Sequence, residues 1–272
     1  CTVTIATLDR ELKGLVRDEG DQVHWASFNT DDPAGYDSLS TINLPLRTTM
    51  MADGTLYAST LNTSGLSDLY TVDLKTFAMT RVGSTLTSSY LDMAYAPHNP
   101  GYGLGVCGKS IVLIDLYSGE ETGFMNWGME LPSDLVGITY YDSEYTADFG
   151  GYMDFFLLLD SDGNVYLVPF LIDDYGIDYL YGPYECYLQN IGNPGADSSF
   201  QDFYYDGTYI YWTILHGDDT VELIVWDVEG TGRIYTLGCF PEDISLVSGL
   251  YADNTTVPAD KKLITGLLTS ME

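Results

Sequence analysis

Apolar positions in this chain come in short runs that break on Gly, Asp, Asn or Pro. "TTMMADGTLYAST" (48–60), "DMAYAPHNPGYGLGV" (92–106) and "DFYYDGTYIYWTI" (202–214) share one form: an apolar run, a turn, a second apolar run. The runs are too short for helices and rich in Tyr, Thr, Val and Ile, so they predict β-strands joined by hairpin turns. The form recurs in "TIATLDRELKGLV", "GITYYDSEYTADFGGYMDFFLLL" and "SGLYADNTTVPADKKLITGLL". Its turns begin at Asp9, Asp53, Pro97, Asp142, Asp206 and Asp253, which are 44, 44, 45, 64 and 47 residues apart.

A second form follows the first after some twenty residues: apolar run, Asp, turn, short strand. The cleanest copies are "LYTVDLKTFAMTRVG" with Asp73, "SIVLIDLYSGEETGF" with Asp115 and "ELIVWDVEGTGRIYTLG" with Asp227. Looser copies centre on Ser27 and Pro169. A short carboxylate at a strand end accepts backbone N–H bonds, so the recurring aspartates read as turn formers. Four strands about every 45 residues is the signature of a β-propeller, whose sheets bury both faces by stacking around an axis. The chain is therefore expected to be all-β, one propeller domain over 1–272, with units starting near residues 3, 47, 91, 136, 201 and 246. The first strand of each unit lines the axis. Five units have both halves and the sixth has only its first hairpin. That favours six blades with the last incomplete; the alternative is five blades, the C-terminal strand completing the first.

"LYTVDLKTFAMTRVG" and "VLIDLYSGEETGF" resemble the Leu-Tyr-x-Ile-Asp-x-x-Thr-Gly repeats of bacterial extracellular propellers, which often sit in multidomain surface proteins of Gram-positive bacteria. The resemblance implies an extracellular or cell-surface setting. A non-catalytic recognition or adhesion role with a protein or glycan ligand is expected, in a chain that is monomeric or part of a multidomain protein.

Charge narrows the partners. Forty acidic residues against ten basic ones give a formal net charge of −30. Such a chain repels nucleic acid and anionic membrane surfaces and favours cationic partners. No apolar stretch reaches the roughly twenty residues of a membrane span, so no membrane insertion is expected. Cys1, Cys107, Cys186 and Cys239 show no zinc-binding spacing. Free thiols are expected, and Cys186 with Cys239 is the pair in which to look for a bridge.

Three stretches are candidates for chemistry. "DSDGN" offers Asp160, Asp162 and Asn164 as weak metal candidates. A calcium site takes six to eight oxygens, and no acidic residue follows at the needed distance. A hairpin turn is therefore expected, with no cofactor and no calcium. The fourth unit, 136–200, is enlarged by "DSEYTADFGGYM" and "LIDDYGIDYLYGPYECY". These place Glu144, Tyr145, Asp148, Asp173, Asp174, Tyr175, Asp178, Tyr179 and Tyr181 on turns that leave one end of the blade, as an expected ligand site. His24, His98 and His216 belong to no nucleophile or metalloprotease motif, so no catalytic residues are expected. The rival is a carbohydrate-active enzyme, a glycosidase or lyase, with carboxylates in the axial funnel.

Overall fold

A computed structural model describes residues 8–61, 65–125, 133–147, 151–172, 178–180, 190–195, 197–228 and 230–252. These residues form twenty β-strands in five four-stranded antiparallel sheets arranged as a propeller, with no helix among the described residues. Blade two holds β4 (Leu46–Ala52), β5 (Thr55–Leu61), β6 (Ser67–Val72) and β7 (Met79–Val82) from axis to rim. Blade three holds β8 (Asp92–Tyr95), β9 (Tyr102–Cys107), β10 (Ser110–Asp115) and β11 (Glu121–Met125). Blade four holds β12 (Leu135–Thr146), β13 (Gly151–Asp160), β14 (Val165–Ile172) and β15 (Asp178–Leu180). Blade five holds β16 (Ser199–Tyr205), β17 (Ile210–Leu215), β18 (Val221–Trp226) and β19 (Ile234–Cys239).

Blade one is assembled from both ends of the chain. β1 (Glu11–Asp18), β2 (Val23–Asn29) and β3 (Asp32–Ile42) are consecutive, but the innermost strand is β20 (Ile244–Tyr251), paired antiparallel with β1 from Lys13↔Tyr251 to Asp18↔Ile244. The expected sixth, partial blade is thus corrected: its strand completes blade one, and the number of blades is five. Residues 1–7, which include most of the expected first strand, lie outside the described residues. Covering β1 with β20 removes an unpaired edge and closes the ring.

The core is five separate seams, one between each pair of neighbouring blades. Between blades three and four, Leu104, Val106, Ile111 and Leu113 meet Ile138, Phe156, Leu158 and Val168. The next seam takes Phe155, Leu157 and Leu159 from the other face of β13 and packs them on Phe203, Ile210 and Trp212. Alternate residues of one strand therefore serve two seams, which is why "FFLLL" is continuously apolar: both faces of the sheet are covered.

In blade four, "DSEYTADFGGYM" is corrected from an inserted turn to a longer hairpin. Its Tyr and Thr residues continue the strands, and the ladder runs from Leu135↔Asp160 to Thr146↔Gly151. Asp73, Asp115 and Asp227 do organise equivalent turns, each accepting two backbone N–H bonds, for example from Lys75 and Thr76 to Asp73.

Candidate funnel at the propeller axis

A cavity of about 650 Å³ opens on the axis. Each inner strand contributes wall: Thr49–Met51 of β4, Asp92–Tyr95 of β8, Ile138–Tyr141 of β12, Asp202–Tyr205 of β16, and Leu250 with Tyr251 of β20. At the mouth stand Asp53-Gly54, Pro97 and Asp206-Gly207, which follow the ends of inner strands, with Leu74 and Phe77 from a third-to-fourth-strand turn. This is the end of the barrel from which the long β12–β13 hairpin leaves.

The floor is built by side chains that tie inner strands together. Asp92 Oδ1 accepts the Thr48 hydroxyl and its Oδ2 accepts Ile138 N–H, each at 2.8 Å, so one carboxylate joins blades two, three and four. Tyr205 N–H donates to Thr139 Oγ1 (3.0 Å), Leu250 N–H to Asp202 Oδ2 (2.8 Å) and Thr49 Oγ1–H to the Gly249 carbonyl (2.6 Å). Those bonds cross the remaining three seams. Asp92 and Asp202 are 3% and 2% exposed. Burial raises the pKa of both carboxyls: Asp92 well above its ordinary value, with the Asp202 charge adding to the effect, and Asp202 to about 6, against the pull of its backbone N–H donors and Arg47.

Arg47 reaches across from blade two to blade five, where its Nη2 donates to the Gln201 carbonyl at 3.2 Å. Its Nε, buried, has no protein acceptor. Burial lowers the Arg47 pKa and the charges of Asp202 and Asp92 raise it. Arg47 and Gln201 are both extra residues in their strands, marked by register shifts at Leu46/Thr48 and Phe200/Asp202, and β12 carries the same bulge at Leu135/Gly137. A bulge re-aims a side chain that regular alternation directs elsewhere.

Beside the mouth, three rings of two blades stack. His98 lies on Tyr152 with centroids 4.3 Å apart and planes at 19°, and Tyr145 meets Tyr152 edge-on at 5.5 Å. Tyr145 is 57% exposed and Tyr152 47%. Underneath, the wholly buried Asp154 carboxylate accepts His98 Nδ1 (2.7 Å), His98 N–H (3.2 Å) and Asn99 Nδ2 (3.0 Å). Burial raises the pKa of Asp154 despite these donors.

Of the expected ligand residues, Glu144 and Tyr145 sit on this hairpin, Glu144 with a buried Oε2 that lacks a protein partner. Asp178 and Tyr179 start β15. Asp148, Asp173, Asp174, Tyr175 and Tyr181 lie outside the described residues, as does Cys186. Cys107 and Cys239 are free thiols. The inner strands form the wall, as their recurring register led us to expect, while Arg47 and the His98–Asp154 pair escaped the sequence reading. Nothing local announces a pair 56 residues apart.

"DSDGN" is a hairpin turn between β13 and β14. Asp160 Oδ1 accepts the N–H groups of Asp162 (3.0 Å) and Asn164 (2.8 Å), and its Oδ2 accepts Asn164 Nδ2 (2.9 Å) and the Tyr166 hydroxyl (2.8 Å). Asp162 accepts the Ser133 hydroxyl. Gly163 has φ +81°, and a Cβ there would meet the Gly192 carbonyl oxygen at 2.2 Å. Among the described residues no three His, Cys, Asp or Glu side chains converge on one point as metal ligands would.

No model of a known protein family matches the chain, and no curated protein matches it.

Proposed function

We propose that this propeller is a non-catalytic recognition or adhesion module of an extracellular, cell-surface bacterial protein, binding a protein or glycan ligand over the funnel mouth and the β12–β13 hairpin. One observation carries the reading. The buried carboxylates at the funnel floor are engaged by strand amides and a hydroxyl of neighbouring blades, so they hold the ring together, while the aromatic area offered to a ligand lies at and beside the mouth. Tyr presents a flat apolar face with a polar tip at low entropic cost. The test is a glycan array and a panel of displayed surface proteins, followed by Tyr145→Ala/Tyr152→Ala. A ligand whose affinity falls at least tenfold in that variant supports the reading. A ligand that binds the variant equally well places recognition elsewhere.

The carbohydrate-active alternative rests on two carboxyls with raised pKa values in a concave site. It requires polysaccharide cleavage that disappears in Asp202→Asn while the fold persists.

A further inference from the structure

We propose that the funnel takes a cationic side chain of a protein partner, a lysine ammonium or arginine guanidinium, rather than a neutral sugar; the inference rests on the recognition reading and names its ligand chemistry. The first argument is the balance of donors and acceptors. Among the described residues, four carboxyl groups line the cavity, those of Asp53, Asp92, Asp202 and Asp206, against Lys13 as the one basic side chain. The described wall residues include no Arg, Asn, Gln, His or Trp. Sugar hydroxyls both donate and accept, and protein sites usually answer them with amide and guanidinium forks. An ammonium or guanidinium only donates, and the described wall sets four carboxyl groups against one ammonium.

Three of the wall's hydroxyls already have partners within the protein. Thr49 Oγ1–H is given to the Gly249 carbonyl, and Thr139 Oγ1 takes the Tyr205 N–H. The Tyr95 hydroxyl donates to Asp53 Oδ2 at 2.5 Å, which leaves its oxygen as an acceptor. Asp53 itself is exposed at the mouth, on a turn where it holds φ +45°. The second argument is the rest of the wall. Tyr140 and Tyr204 are half-buried there, so they offer part of their rings, and an aromatic face attracts a cation through its quadrupole. Met51, half-buried, adds a polarizable, adaptable surface suited to an alkyl stem. The third is position. Asp53 and Asp206 stand at the mouth, where an approaching partner meets them first, and a cleft with low-dielectric walls focuses their field.

The experiment must separate this site from the diffuse attraction of a chain carrying −30. The probe is a fluorescent nine-residue peptide with three lysines, read by anisotropy at physiological salt, where long-range attraction is screened. Its fully Nε-acetylated counterpart and a set of neutral oligosaccharides are run beside it on the unaltered protein. The unmodified peptide is expected to bind at least tenfold tighter than the acetylated one. Asp53→Asn, at an exposed site where Asn tolerates positive φ, is expected to weaken it roughly five- to tenfold. Asp37→Asn/Glu242→Gln, two exposed carboxylates off the funnel wall, should leave it within about twofold. Equal binding of the acetylated peptide, binding of neither peptide, or equal weakening by the control pair overturns the proposal. A neutral oligosaccharide bound by the unaltered protein and lost in Tyr145→Ala/Tyr152→Ala also overturns it, while leaving the recognition reading intact.

Discussion

Asp202 holds a proton in the folded chain over a range of pH where the unfolded chain has released it, because burial penalises its charge more than its amide donors and Arg47 stabilise it. A carboxyl raised by folding contributes stability in full below its unfolded pKa of about 3.9, and that contribution fades as pH rises through the folded value near 6. Asn cannot titrate, yet its side-chain carbonyl can still accept from Leu250. We therefore expect the stability of the parent relative to Asp202→Asn to fall between about pH 4 and pH 7, by on the order of 2 kcal/mol. Urea midpoints of both proteins across that range check it. A difference that stays flat shows that the Asp202 carboxyl is not perturbed. Asp92 shares the burial, so the change spreads over more than one unit of pH.

At the scale of hairpins, the β13–β14 turn depends on one carboxylate with four donors. Asp160→Ala leaves the Tyr166 hydroxyl and the turn amides without their acceptor and should cost about 2–4 kcal/mol in chemical denaturation. Calorimetry at physiological salt should give no stoichiometric calcium heat below about 1 mM for the parent, because the lone pairs of Asp160 are occupied. Much of this level was legible in the residues. The inner strands β4, β8, β12, β16 and β20 begin within two residues of the expected positions, since each is an apolar run ended by a turn former. The turn role of Asp73, Asp115 and Asp227 followed from their shared register. The extended β12–β13 hairpin was read as a loop because length was counted against a 45-residue unit instead of following Tyr and Thr outward along the strands. His98 resting on Tyr152 over Asp154 was hidden, because strand periodicity states which face a residue takes but not which blade it meets. The choice of innermost strand for blade one was hidden for the same reason: "TVTIATL" and "SLVSGLY" are both apolar runs with strand character.

Closure belongs to the molecule as a whole. Gly249, in β20, has φ +61°, and a Cβ there would sit 2.8 Å from the Thr49 amide nitrogen of blade two. Gly249→Ala should destabilise the ring by about 2 kcal/mol or more, through backbone strain and the seam it spreads, as thermal or urea unfolding will register. A chain ending at Asp243 lacks β20 and leaves β1 as a bare edge beside an unfilled seam. It is expected to unfold without a single cooperative transition and to self-associate on a sizing column; a monomer with parent-like cooperativity would show that the other four blades stand without closure. The pairing of Lys13 with Tyr251 also sets a clock. The two residues are 238 positions apart, and a ribosome adding about 5–20 residues per second needs roughly 10–50 s to pass from one to the other. Throughout that interval blade one is a three-stranded sheet waiting for a partner not yet made. A strand from a neighbouring nascent chain could take the vacant place, so crowding on one messenger is the condition under which this ring is most exposed to joining the wrong molecule.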